Sequence, residues 1–318
     1  MKRAMRWTLG LCALVCGGCV PLVPLEQFIS VANGFALSPE RSCVELAEAF
    51  DLPAVEVDTP ADVGFAFIEE QIQVGDRTLR GWFIPAEAPL GVVVFSYGAV
   101  GDMSCYLWIV LNLLERGWSV AMYDFTGFGG STGTPSLLHL TEDGRAAIDW
   151  ARELSGVDQV VLMGVSLGTI PTIQYAADYP EAVAGAIVDG PISLQAEVER
   201  FAFLFGFNTA PYIALLPEEL LMAEQIPDVQ APLLVYSYGF DEFATGRIAV
   251  DLTSRTAGHV TQQRFQDLPH VRGPYFAAGE YFRVLADFLR ARLSDPSLLP
   301  KVDLGPPQDF VPRPALAE

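Results

Sequence analysis

From residue 91 onward the chain alternates two textures, and this alternation limits the possible folds more than any other feature. Short apolar runs stand at 91–96 ("GVVVFS"), 119–124 ("SVAMYD"), 158–163 ("DQVVLM"), 183–189 ("VAGAIVD") and 232–237 ("PLLVYS"). A brief apolar run without polar alternation suits a strand buried on both faces. "VTQQRF" at 260–265 reads as one more strand. Between the runs lie stretches with helical spacing. "TEDGRAAIDWAREL" places apolar residues at 147, 148, 151 and 154, one side of a helix. Helices are also expected over 103–116, 167–178 and 278–293. Strand and helix in alternation imply a mostly parallel sheet covered on both faces. Upstream, "FAFIEEQIQV", a "GD" turn and "RTLRGWFIP" read as a hairpin. Half of the residues are apolar (51%), enough for a sizeable core.

Two stretches break the alternation. Residues 125–138 are glycine-rich. Residues 192–229 contain "FAFLFGFNTAPYIALLPEELL" and exceed a normal crossover, so a small lid is expected there. Phe201, Phe203, Phe205, Phe207 and Tyr212 make both faces of a helix apolar. One face can pack on the domain while the other walls an acyl pocket or touches a membrane; the alternative is that both are core.

The N-terminus has its own character. "MKRAMR" is basic, "WTLGLCALVC" is an apolar run of ten, and "GGCV" follows. The run is short of the roughly 20 residues that span a bilayer. The layout is that of a signal peptide over 1–18, and the small residues before Cys19 resemble a bacterial lipoprotein processing site. Cys19 is therefore expected to be lipidated, in an exported, membrane-anchored lipoprotein of the cell envelope. Cys16 departs from the aliphatic residue usual three positions earlier; ordinary cleavage nearby or an uncleaved anchor is the alternative. Residues 19–62 read as a tether and approach segment with a short helix in "PERSCVELAEAF", residues 63–293 as the main domain, and 294–318 as a Pro-rich tail. Cys43 and Cys105 can pair in an exported protein or remain buried thiols. A formal charge of −20 repels phosphate backbones, so nucleic acid is not an expected partner.

Two serines fit Gly-x-Ser-x-Gly: Ser166 in "GVSLG" and Ser131 in "GGSTG". Ser166 follows a strand and opens a helix. That turn pushes its hydroxyl out at the sheet edge and sets a helix N-terminus with the Leu167 N–H behind it. Ser131 has neither neighbour and reads as a loop serine. A serine nucleophile needs a base, and the chain has three histidines. His139 precedes the serine, His259 sits before a strand at the wrong sheet end, and His270 follows the last strand at the same edge as Ser166. Asp241, just past a strand end, is the acid of choice, with Glu242 and Asp189 as rivals. The second oxyanion donor is expected from Ala99 in "SYGAVGD", where Gly98 permits close approach. Three scattered histidines do not make a metal site, and no cofactor is implied.

On these residues the chain resembles the α/β-hydrolase superfamily of serine hydrolases. The likeness covers about 63–293 and rests on "VVVFSYGAVGDMS", "GWSVAMYDFTGFGGSTGTPS", "GVSLG", "VAGAIVDGPIS", "GFDE" and "PHVRG". It implies an α/β-hydrolase fold and hydrolysis of an ester, thioester or amide of a small-molecule or lipid-like acyl substrate. It also implies Ser166 as nucleophile, His270 as base, Asp241 as acid, and Ala99 and Leu167 as oxyanion donors. Departures are Tyr97 for the usual histidine, Thr126 for an arginine, Thr169 for a glycine, and an early Pro171. A non-catalytic lipoprotein with this fold, or an acyltransferase using the same residues, are the other readings.

Overall fold

The computed structural model describes residues 37–50, 57–196, 213, 216–241, 243 and 246–292. Eight strands form one sheet: β1 (Ile68–Val74), β2 (Arg77–Ile84), β3 (Gly91–Ser96), β4 (Trp118–Tyr123), β5 (Val160–Val165), β6 (Val183–Asp189), β7 (Leu233–Phe240) and β8 (Val260–Pro269). Their order across the sheet is β1-β2-β4-β3-β5-β6-β7-β8. β1 and β2 form the expected hairpin, β2 runs antiparallel to β4, and every pair from β4 to β8 is parallel. Every residue of β3, β4 and β5 is buried, as their unbroken apolar runs require.

The helices are α1 (Cys43–Phe50), α2 (Leu107–Leu114), α3 (Leu140–Ser155), α4 (Thr169–Asp178), α5 (Gly246–Arg255) and α6 (Ala278–Arg290), with shorter turns between. The chain steps from β3 to β4 through α2, then reverses through α3 to reach β5 on the other side of β3. Right-handed crossovers in opposite directions place their helices on opposite faces. Accordingly α3 packs with α4, while α2 meets α6 through Trp108 and Phe282, ring centroids 6.1 Å apart. The reversal opens a crevice outside the carboxyl ends of β3 and β5, the place where open α/β sheets bind ligands. Ser96 pairs with Gly164 there, so the segments leaving the two strands start side by side.

Several elements differ from the sequence expectation. The stretch 103–116 divides into a tight turn, Met103–Tyr106, and α2. Asp102 caps the turn by accepting from the Ser104 N–H at 2.9 Å. β7 and β8 run beyond 237 and 265 and end paired at Phe240 and Pro269. α5 has no counterpart in the sequence reading; its Ile, Val and Thr residues are weak helix formers, and burial of Ile248, Ala249 and Leu252 holds it instead. Of 192–229, the end nearest β7 is ordinary core: Leu216, Leu220, Met222, Ile226 and Val229 are buried. Phe201, Phe203, Phe205, Phe207 and Tyr212 lie outside the described residues, as do Cys19 and the tail. Among the described residues no helix is long and apolar enough to cross a membrane.

Cys43 and Cys105, left open as a pair or as thiols, are joined in a disulfide with Cα atoms 5.0 Å apart.

Candidate active site

The β5–α4 turn is shaped by what cannot fit. A Cβ on Gly164 would stand 2.4 Å from the Gly168 carbonyl oxygen, and one on Gly168 would stand 2.1 Å from that of Ser96. The two glycines let the turn close against the end of β3. Ser166 between them adopts φ 52°, a left-handed conformation uncommon outside glycine. Such a conformation costs on the order of 1–3 kcal/mol and persists only where the surroundings impose it. Thr169 is part of that imposition. Its hydroxyl donates to the Ser166 carbonyl at 2.5 Å and accepts from the Ile192 N–H at 3.2 Å, tying the turn to the segment after β6. Pro171 is the third residue of α4, where its missing N–H would have had no intrahelical partner.

The Ser166 hydroxyl meets His270. Nε2 of His270 lies 2.9 Å from Oγ, and Nδ1 lies 2.9 Å from Oδ2 of Asp241. The partners are 104 and 29 residues away in sequence. Pairing of Phe240 with Pro269 brings them together, since Asp241 and His270 directly follow the ends of the two strands. Asp241 is further held by the Phe243 N–H, which donates to Oδ1 at 3.0 Å. The Phe243 ring stands edgewise to the imidazole, centroids 5.2 Å apart. His270 is almost wholly buried. Val271, directly after it, has φ 48° and is the other non-glycine residue with positive φ among those described. A β-branched residue in that region is an outlier. The two strained residues are thus the serine and the neighbour of the histidine.

The rivals sit elsewhere. Asp189 is fully buried, accepting from the hydroxyls of Tyr238 at 2.6 Å and Tyr281 at 2.8 Å. Burial pushes its carboxyl up to about 6, against the pull of those two hydrogen bonds. It braces β6 to β7 and α6. Glu242 lies outside the described residues. His139 ends a turn before α3, with burial lowering its pKa. His259 is exposed just before β8. Ser131 is pinned in its loop: Oγ donates to the Asp124 carbonyl at 2.7 Å and accepts from the Arg80 N–H at 2.9 Å.

Leu167 follows Ser166 and is buried. Ala99 follows Gly98, whose missing Cβ would stand 3.5 Å from Cβ of Ser166. Leu167 is therefore next to the serine in the chain, and Ala99 follows the glycine that packs against it. Tyr97, which takes the place of a histidine, is fully buried, and its hydroxyl donates to Oδ1 of Asp124 at 3.2 Å. Asp124 also accepts from the N–H groups of Met103 at 2.9 Å and Gly130 at 3.0 Å. Its burial pushes the carboxyl up to about 6. It joins the loop after β3 to the glycine-rich loop after β4. Sequence reasoning did not single out Asp124; the one local signal was an acid at a strand end before a glycine-rich run. Thr126, in place of an arginine, donates its backbone N–H to Asp143 at 2.8 Å, and Arg77 supplies the cation to Asp143 from β2, also at 2.8 Å.

Among the described residues one trio of metal-type ligands gathers, Cys43, Asp102 and Cys105. Both of its sulfurs are spent in the disulfide.

The family model described as the alpha/beta hydrolase fold matches residues 91–217, the stretch from β3 through the serine turn to the start of the segment before β7. The chain has the α/β-hydrolase fold. Solved structures share this architecture: the Pyrococcus furiosus esterase Pf2001 superposes with a TM-score of 0.63 at 20% identity, over 75% of this chain and 97% of that one. Est1E from Butyrivibrio proteoclasticus, solved with ferulic acid bound, gives 0.59 at 16% identity, over 71% of this chain and all of that one (100%). By sequence, an uncharacterized protein of Mycobacterium tuberculosis is 28% identical over 280 residues, 85% of this chain and 93% of that one. The uncharacterized protein YfhR of Escherichia coli is 39% identical over 97 residues, 28% of this chain and 34% of that one.

Proposed function

We propose that this protein is a serine hydrolase that cleaves an ester, thioester or amide through an acyl-enzyme. The observation that carries the reading is the unbroken chain from Ser166 through His270 to Asp241, two contacts of 2.9 Å each at the carboxyl edge of the sheet. The Ser166 oxygen attacks the acyl carbonyl carbon as Nε2 of His270 takes its proton. Asp241, bonded to Nδ1, holds the ring in the tautomer that leaves Nε2 able to accept, and stabilises the imidazolium that forms. The N–H groups of Leu167 and Ala99 receive the oxyanion. The imidazolium then protonates the leaving alcohol, thiol or amine as the carbon–heteroatom bond breaks. Water, deprotonated by the same Nε2, attacks the acyl-serine, and Ser166 leaves with the proton returned. Transfer to another acceptor would use the same groups in the same order.

The same reading makes Cys19 a lipidated residue after removal of 1–18, which sets the domain at a membrane surface of the cell envelope. The "GGC" sequence and a disulfide suited to an exported protein support it. The substrate is then a small or lipid-like acyl compound.

The test is labelling by a fluorophosphonate probe together with hydrolysis of an ester series. Both are expected in the wild type and absent in Ser166→Ala. Equal labelling of the two proteins would refute the assignment.

A further inference from the structure

The loop that carries Ala99 is held from outside by a segment foreign to the sheet. Ser38 forms a parallel bridge with Val100. Its N–H donates to the Ala99 carbonyl at 2.9 Å, and its carbonyl accepts from the Gly101 N–H at 3.1 Å. The Val100 carbonyl is taken by the Tyr106 hydroxyl at 3.1 Å. Five residues on, Cys43 opens α1 and is bonded to Cys105, in the turn that follows the loop. Gly101, at φ 71°, lies under this joint: a Cβ there would stand 2.7 Å from Sγ of Cys105 and 3.5 Å from the Arg41 carbonyl. Leu37, Leu46 and Ala47 are buried, so the segment is packed and not merely draped.

We propose that the segment from Leu37 to Cys43, stapled by Cys43–Cys105, is a positioning element for the oxyanion donor Ala99, which rests on the hydrolase reading above. A donor stabilises a developing oxyanion only if it is aimed before the charge forms. The loop has glycine at 98 and 101, whose backbone turns readily. Ser38 therefore holds the two peptides on either side of Val100 and Tyr106 the second of them, which anchors the backbone directly after the Ala99 N–H and limits how far that donor can swing. The disulfide closes a separation of 62 residues and keeps Ser38 at the loop where a single bridge would fray.

The experiment treats the folded full chain with dithiothreitol and compares it with the double variant Cys43→Ser, Cys105→Ser. A second variant, Ser38→Pro, removes the N–H donor and leaves both sulfurs in place. Hydrolysis of a short ester gives kcat and KM, and hydrogen exchange follows the Gly101 amide. In all three, kcat should fall by about tenfold or more, because one misaimed donor weakens the transition state. KM should stay within about twofold, because the ground-state ester does not use that donor. Affinity for a boronic acid that mimics the tetrahedral state should drop by the factor seen in kcat/KM, and Gly101 should exchange faster. A general loss of fold would instead move KM, thermal midpoint and Ser166 labelling together, and would overturn the proposal. Normal probe labelling with unchanged kcat on reduction would also overturn it, and leave the hydrolase reading intact. Absence of probe labelling in the untreated wild type would sink both.

Discussion

Gly190→Ala separates backbone strain from damage at the site. Gly190 follows β6 at φ 59°, and its N–H donates to the Tyr236 carbonyl at 3.1 Å, so the backbone has little room to slip. A Cβ there would stand 2.7 Å from Cε1 of His270, 3.0 Å from Nδ1 and 2.8 Å from Cγ1 of Val271. Ordinary contact begins near 3.4 Å, so the imidazole must give by about 0.7 Å. Taken along the direction of Ser166, that stretches a 2.9 Å contact to about 3.6 Å, where it is no longer a hydrogen bond. A misplacement of about 1 Å costs up to about 100-fold, so one of about 0.7 Å should lower kcat by roughly tens of fold. Alanine in the left-handed region adds a stability cost of about 1–2 kcal/mol. Gly75 is the matched control: its φ is also 59°, and nothing lies within 4 Å of its Cβ position. Gly75→Ala should show the stability cost alone, with kcat unchanged. Urea unfolding and steady-state hydrolysis of a short ester measure the two quantities on both variants. If Gly190→Ala keeps the wild-type kcat, or Gly75→Ala loses as much, the close packing of His270 on Gly190 does not control the reaction.

Ser166→Ala should abolish probe labelling while Ser131→Ala retains it, since the Ser131 hydroxyl is already engaged by the Asp124 carbonyl and the Arg80 N–H; the reverse pattern would move the nucleophile. Asp241→Asn should lower kcat by about three to four orders of magnitude through the wrong imidazole tautomer, with KM little changed; a small loss would point to another acid. Asp189 has a folded pKa raised by burial from 3.8 to about 6, so its contribution to stability is full below pH 4 and is lost as pH rises through 6. The loss is on the order of 2–3 kcal/mol. Wild type minus Asp189→Asn, measured by urea unfolding from pH 4 to 7, should decline across that window; a flat difference would contradict it. Cys19→Ala should block incorporation of labelled fatty acid and leave an unprocessed chain, whereas a wild-type mature terminus elsewhere, without lipid, would end the lipoprotein reading.

Much of the architecture was legible because it is encoded locally. A strand buried on both faces must be apolar along its whole length, and β3, β5 and β6 could be read off for that reason. The glycine–serine–glycine spacing at 164–168 was informative because it stands between a strand and a helix; the same spacing around Ser131 does not. Chain order was enough to prefer His270 to His139. α5 was not legible, since its β-branched residues form a helix only under packing.

The sequence by itself determined the alternating elements, the parallel sheet and the turn that exposes Ser166, because periodicity and steric demand act over a few residues. Only the tertiary structure decided how distant groups combine. The pairing of Phe240 with Pro269 sets Asp241 beside His270. Tyr238 and Tyr281 occupy the oxygens of Asp189, and so make it a brace. Cys43 meets Cys105, and Ser38 reaches the loop of Ala99. These choices depend on distances between segments tens of residues apart, and such distances are set by strand order and register across the whole sheet, which no local pattern carries.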